Sequence, residues 1–213
     1  MKRIITGWMA VLSLLFLAAA FPASAQQPAK RDFTPIDPPM STESTSKIEV
    51  VEFFSYACPH CNELHPHLDK WSAKLPSDVV FKRVPVVFNP FYQVMAKLFY
   101  SLEITGDLAR LDSAVFNAIH DKGLKLVDEK SVTDWVVSQG VDGRKFAEAW
   151  NSFSLNSKVS RGNQLAQSAR ISGVPAIVVD GRYLVDGRTP QDMLAMTDKA
   201  IDKRRAERNP KKK

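Results

Sequence analysis

Hydrophobic positions change their spacing several times along this chain, and each change marks an element. Ile48–Phe54 is a nearly continuous apolar run, interrupted by Glu52, and predicts a central β-strand covered on both faces. Leu64, Leu68 and Trp71 then recur at helical spacing within Cys61–Leu75. Pro66 removes the hydrogen bond to the carbonyl of Asn62 and predicts a kink there. Val79–Phe88 reads as the next strand, with Lys82-Arg83 and Pro85 giving it an irregular, edge-like end. From Asn89 to about Ser154 the period is helical. Val94, Met95, Leu98, Phe99 and Leu102 form one stripe, and Leu108, Leu111, Val115 and Ile119 another. Ser131-x-x-Asp134 reads as a capping box ahead of Trp135 and Val136, and Asp142 precedes a short helix bearing Phe146, Ala149 and Trp150.

A further helix is predicted over Leu155–Ile171, ending at Ser172-Gly173, where glycine supplies the C-terminal cap. Two apolar runs then flank Asp180-Gly181, a two-residue hairpin signal. Pro175 opens the first of these runs, where a strand can spare an N–H. Thr189-Pro190-Gln191-Asp192 caps the last helix, which runs to about Arg205. Residues 26–47 are rich in Pro, Ser and Thr, predicting a mobile opening, a short edge strand at Phe33-Thr34-Pro35-Ile36 and a polar loop over Ser41–Lys47. The remaining apolar run, Ile4–Phe21, lies between Met1-Lys2-Arg3 and Ala23-Ser24-Ala25. A basic start, a hydrophobic middle and a small-x-small box predict a secretory signal peptide over residues 1–25 and a mature start at Gln26. An uncleaved anchor is the competing reading, weakened by Thr6, Gly7 and Ser13 and decided against by the cleavage box.

Charge alters the picture less than its total suggests. The formal net charge is +6. Lys2 and Arg3 belong to the signal, and residues 199–213 set eight Lys or Arg against Asp202 and Glu207, which leaves the body between them near −2. The basicity is that of a tail, and a nucleic-acid-binding reading fails.

The candidate chemistry is Cys58-Pro59-His60-Cys61, which holds both cysteines of the chain. A buried strand running into Cys-x-x-Cys at the start of a helix sets both sulfurs among unpaired backbone N–H groups and the positive end of the helix dipole. That field favours a thiolate, so Cys58 is predicted to be acidic and nucleophilic. Pro59 suits the first helical turn, and His60 adds a donor or a positive charge beside the same sulfur. A structural disulfide here would close too small a loop to constrain the unfolded chain. Zinc would need two further ligands from His60, His65, His67 and His120, and covalent haem needs histidine where Asn62 stands. His65 and His67 read as surface residues flanking Pro66. A redox-active dithiol is the favoured reading, with metal binding the alternative, and export would place the dithiol in an oxidising compartment.

Phe53-Phe54-Ser55-Tyr56-Ala57-Cys58-Pro59-His60-Cys61 resembles the active-site segment of the DsbA family, periplasmic thiol:disulfide oxidases whose signature is Pro-His between the cysteines. Val174-Pro175, over a hundred residues downstream, is similar to the family's second motif. The resemblance implies an α/β, thioredoxin-like fold with an inserted helical domain. Residues 26–88 and 155–206 would form the two parts of the thioredoxin-like domain, residues 89–154 the insertion and residues 207–213 a basic tail. It implies a cis bond before Pro175, packed against the cysteines, and a substrate contact built from Pro59, Val174 and Pro175. It also implies that Glu52 is a buried acid assisting proton transfer. From the residues alone, a solvated Glu52 and a buried one with raised pKa stand level. The implied activity is donation of a disulfide to newly exported polypeptides by a periplasmic monomer without cofactor or metal, reoxidised by a DsbB-like quinone-coupled membrane protein. One departure is His65, where relatives can carry an acidic residue. The rivals are a reductase or isomerase of the DsbC kind, for which residues 26–47 are too short to supply a dimerisation domain, a Cys/His metal carrier, and a binding module with an inert dithiol.

Overall fold

The protein is described over residues 33–209 by a computed structural model. The predicted signal peptide, the opening of the 26–47 segment and the end of the basic tail lie outside the described residues. The strands are β1 Phe33–Pro35, β2 Ile48–Phe54, β3 Val79–Pro85, β4 Ala176–Val179 and β5 Tyr183–Val185. The α-helices are α1 Pro59–Ser72, α2 Pro90–Thr105, α3 Leu108–Phe116, α4 Glu129–Ser138, α5 Gly143–Trp150, α6 Phe153–Ser168 and α7 Pro190–Arg208. A π-helical turn, Asn117–Asp121, prolongs α3.

The strands form one sheet in the order β1-β5-β4-β2-β3, with β2 parallel to β3 and antiparallel to β4. Every residue of β2 is buried, as a strand with layers on both faces requires. The two-residue period then divides its side chains. Val50 packs with Leu64 and Leu68 of α1 and with Ala200 and Ile201 of α7. Val51 and Phe53 face the other way, onto Leu165 and Ala166 of α6. Helices α2–α5 gather their stripes, including Met95, Leu98, Leu111, Val115 and Phe146, into a cluster that also takes in Phe54, Tyr56 and both cysteines. The dithiol therefore lies where the end of β2 meets the helical insertion.

Several boundaries differ from the sequence reading for identifiable reasons. β3 stops at Pro85 rather than Phe88, because Asn89 caps α2 through a hydrogen bond from the Tyr92 amide and Pro90 starts the helix. The capping box lies one turn earlier than Ser131-x-x-Asp134. Asp128 accepts from the Ser131 amide while Ser131 Oγ accepts from the Asp128 amide, and Asp134 pairs with Lys130 instead. α6 ends at Ser168 rather than Ile171, and Gly173 is not its cap. Arg170 takes the left-handed conformation at φ 55°, and the Ile171 amide reaches back to the Ala166 carbonyl at 2.8 Å. This is a Schellman closure, with Ile171 and Ala166 in the same apolar cluster and the Arg170 guanidinium bound to the Asp37 carbonyl. A hairpin forms at Asp180-Gly181, both residues having positive φ, but Val179 pairs with Tyr183, so three residues, Asp180 to Arg182, join the strands instead of two.

The basic end of α7 departs from the picture of a solvated tail. Arg204 and Arg208 both bind the carboxylate of Asp180, at 2.7 and 2.5 Å, and Arg205 binds Asp78 at 2.7 Å. These cations hold the last helix onto the hairpin and onto the loop before β3.

Candidate active site

β2 ends at Phe54, and a short turn brings the chain to Cys58, whose amide donates to the Ser55 carbonyl. Cys58 is the N-cap of α1, in extended conformation, and Pro59 occupies the first helical position. A capping side chain accepts a hydrogen bond from an amide of the first turn, and here the acceptor is sulfur: Cys58 Sγ takes the Cys61 N–H at 3.3 Å. When protonated, its own S–H donates to the Val174 carbonyl, 3.3 Å away. Both cysteines are free, with no disulfide between them. Cys58 keeps 5% of its surface in contact with solvent and Cys61 none.

The two sulfurs are held in opposite protonation states. Cys58 is lowered to about 6, by the hydrogen bond from the Cys61 thiol and then, against the opposing effect of burial, by the amides of Cys61 and His60. The charge of His60 comes last among these causes. Cys61 is pushed far up, first by burial, then by the hydrogen bond it gives to Cys58 and by the negative charge of Glu52. One thiolate and one thiol, sharing a hydrogen bond at a helix terminus, are an arrangement suited to thiol–disulfide exchange.

The predicted residues divide accordingly. Val174-Pro175 is cis, and its carbonyl contacts Cys58 as the second motif implied. The ring of His60 is exposed and paired with Glu63. Its Nδ1 faces Glu63 at 3.2 Å in solvent, and that hydrogen bond raises its pKa, so the residue acts on Cys58 first through its backbone. Glu52 is buried, which decides between the two readings of it. Burial raises its pKa against the opposing pull of Arg83. His65 is not a surface residue. It lies buried one turn beyond Cys61, its Nε2 is 2.9 Å from Ser113 Oγ, and its ring packs against Phe116 at a tilt, centroids 4.7 Å apart.

Sequence reasoning missed the polar cluster beneath the dithiol. Arg83 lies opposite Glu52 in the β2–β3 register, and its Nε donates to Glu52 Oε2 at 2.6 Å. Its Nη1 binds Asp112 of α3, whose other oxygen accepts from Tyr56 OH. The guanidinium lies over the Phe54 ring, 3.8 Å from the centroid. Strand pairing was the available signal, since a buried acid on a central strand calls for a cation at the matching position of its neighbour.

Beside the sulfurs a groove of ≈ 200 Å³ runs between α1 and the start of α7, bordered by His60, Leu64, Pro175, Arg188 and Met193. Phe88 and Phe91 stand exposed at the entrance to α2. The ring of Tyr92 stacks beside Phe88, and its pKa is raised by burial and then by the charges of Cys58 and Cys61. An extended chain crossing Cys58 would meet apolar surface, the open edge of the Val174-Pro175 turn and a groove with charged rims.

Comparison with known proteins identifies the family. The profile of the DSBA-like thioredoxin domain matches residues 49–197. The chain is 39% identical over 181 residues to the thiol:disulfide interchange protein DsbA of Bordetella parapertussis, covering 84% of this chain and 86% of that protein. It is 35% identical over 206 residues to the DsbA of Pseudomonas aeruginosa, covering 95% of this chain and 96% of that protein. The crystal structure of Pseudomonas aeruginosa DsbA superposes with a TM-score of 0.81 at 35% identity, over 84% of this chain and 95% of that one. The oxidoreductase DsbA of Xylella fastidiosa gives 0.79 at 31% identity, over 83% and 96%.

Proposed function

This chain belongs to the DSBA-like thioredoxin domain family and is a thiol:disulfide oxidoreductase, and from that premise we propose that it donates disulfides to reduced exported polypeptides through Cys58. Its fold is thioredoxin-like with a helical insertion. The observation that carries the proposal is the capping sulfur. A thiolate at Cys58 is stabilised by amides that exist only at this helix terminus, so Cys58 is a good leaving group.

In the forward reaction the protein begins as the Cys58–Cys61 disulfide. A substrate thiolate attacks Cys58 Sγ, the intramolecular S–S bond breaks, and its electron pair goes to Cys61 Sγ, which takes up a proton on the buried side near Glu52. A second substrate thiolate then attacks the substrate sulfur of the mixed disulfide and expels Cys58 as a thiolate. The substrate loses two electrons and gains a disulfide, and the protein is left as the dithiol. Val174 and Pro175 would present backbone to the extended substrate, in the manner of an added strand, with Pro59 alongside. The Cys58 contact of the Val174 carbonyl supports that placement.

The setting we propose follows the same reading. Residues 1–25 act as a cleaved signal, the protein works in the periplasm as a monomer, and a DsbB-like quinone-coupled membrane partner restores the disulfide. Residues 26–88 and 155–206 form the thioredoxin-like domain, residues 89–154 the insertion and residues 207–213 the tail.

The test is to mix the oxidised protein with a reduced two-cysteine peptide. The expected result is one disulfide transferred per protein, with the reduced product alkylated at Cys58 at mildly acidic pH. A peptide left reduced, or alkylation falling on Cys61, would overturn the proposal.

A further inference from the structure

Three charged groups are packed beneath the dithiol with one cation between two acids. Arg83 binds Glu52 through Nε and Asp112 through Nη1. If both carboxyls were ionised the trio would carry a net negative charge largely withdrawn from water, which burial opposes. One carboxyl must hold a proton, and the geometry selects which. Asp112 is the better solvated, at 18% side-chain exposure, and both its oxygens are engaged, by Arg83 and by Tyr56 OH. Glu52 is fully buried, and its Oε1 has no hydrogen-bond partner among the described residues. The spare proton belongs on Glu52 Oε1, and Glu52 is the acid whose charge reaches the Cys61 sulfur.

We infer that Asp112 is a positioning residue for disulfide exchange: by sharing Arg83 it lets Glu52 keep the proton that the departing Cys61 sulfur takes up. This rests on the proposed donation of a disulfide through Cys58. When the substrate thiolate opens the Cys58–Cys61 bond, the electron pair arrives on Cys61 Sγ, the proton passes from Glu52 to that sulfur, and Glu52 is left as a carboxylate paired with Arg83. Without the charge of Asp112, Arg83 belongs to Glu52 alone, Glu52 stays ionised, and the departing sulfur has no nearby proton. Asp112 comes from the inserted helices and also anchors Tyr56, two residues before Cys58, so one side chain ties the insertion to the chemistry of the dithiol. The other groups facing this cluster are Asp69 and His65 from α1. Asp69 pushes Glu52 further up. His65 stands with Nδ1 3.9 Å from Asp112, and its pKa is lowered by burial and by Arg83, against the pull of Asp112 and Asp69.

The experiment follows the opening of the disulfide in the oxidised protein by a small monothiol, as a function of pH and corrected for ionisation of the monothiol. The wild-type rate should fall along a limb where Glu52 loses its proton, and Glu52→Gln should abolish the limb. Asp112→Asn should move the limb down by about one pH unit, as expected on unmasking a neighbouring opposite charge, and Asp112→Glu should restore it. Tyr56→Phe removes the hydrogen bond but keeps the charge of Asp112, and should leave the limb in place. A limb unmoved in Asp112→Asn, or moved as far by Tyr56→Phe, overturns the role of Asp112. A limb that persists in Glu52→Gln overturns the proton transfer itself, whereas no exchange in the wild type defeats the proposed function. Should Asp112→Asn not fold, the carboxyl carbon resonance of Glu52 in the unsubstituted dithiol protein decides. It should titrate above the ordinary carboxylate range, and an ordinary titration overturns the inference.

Discussion

Cys58 Sγ accepts the amide of Cys61 at 3.3 Å, so one sulfur of the dithiol caps the helix that carries the other. The bond ties the redox state to stability. Reduction frees a sulfur that is a better cap as a thiolate, and the folded pKa of Cys58 falls to about 6. For an acid with a depressed folded pKa the stabilisation is complete above the unfolded value and lost as pH falls through the folded one. Cys61 has the opposite sign. Its raised pKa costs stability above the unfolded cysteine value and nothing below it. The reduced protein should therefore be more stable than the oxidised one between about pH 6 and pH 8.5, by roughly 1 kcal/mol at neutral pH. Oxidation compensates little, since the disulfide closes a very short loop. Denaturant melts of both redox forms at pH 5 and pH 7.5 measure this, and an oxidised form that is the more stable at pH 7.5 refutes it.

His60→Ala should change the acidity of Cys58 only modestly. The ring faces Glu63, and the hydrogen bond from Cys61 and the amides of the first turn come before its charge among the causes that lower Cys58. The thiolate absorbance of the reduced variant should titrate less than about one unit above wild type. A midpoint close to the ordinary thiol value of 9.0 would transfer the stabilisation from the backbone to the ring.

Much of this was legible beforehand, and the limits have physical causes. Ile48–Phe54 could be recognised because a strand buried on both faces must be apolar almost throughout, and Cys58-Pro59-His60-Cys61 because capping is local. Local chemistry could not place the cation. Lys82-Arg83 read as the irregular end of an edge strand, and β3 is indeed at the edge of the sheet, yet Arg83 turns inward because Glu52 and Asp112 wait there. His65 failed for the same reason: its burial depends on Phe116 and Ser113, distant in sequence. The cap of α6 was misplaced because glycine is the usual left-handed residue, whereas here Arg170 takes that conformation and gains a bond to the Asp37 carbonyl.

Arg83→Met should be among the most damaging substitutions away from the cysteines. It strands Glu52 and Asp112 without their shared cation, and breaking a buried pair on one side costs about 3–5 kcal/mol. With Arg83 gone, the pKa of Glu52 rises further above its unfolded value. A raised acid loses stability as pH climbs through and beyond the unfolded carboxylate range, so the variant should recover toward pH 5. Adding Glu52→Gln should return part of the loss at pH 7.5. Urea melts of the two single variants and the double variant test this, and strict additivity would mean that the pair does not couple.

Asp180→Ala should separate stability from chemistry. Asp180 is buried at the tip of the β4–β5 hairpin, and Arg204 and Arg208 converge on its carboxylate from the end of α7. Its removal leaves two cations facing each other over a vacated site, and alanine is disfavoured at a backbone φ of 53°. Because Arg208 is partly solvated, the loss should fall below that of a fully buried pair, at about 2–3 kcal/mol. Asp180→Asn should keep the backbone conformation and forfeit only the charge, so it should lie between wild type and Asp180→Ala. The clamp holds the far end of α7, whereas only its first turn borders the groove beside Cys58. Well below the melting temperature, the pH midpoint of Cys58 alkylation should therefore match wild type in both variants. A shifted midpoint would mean that the basic end of α7 reaches the dithiol, and that these arginines do more than fasten the last helix to the hairpin.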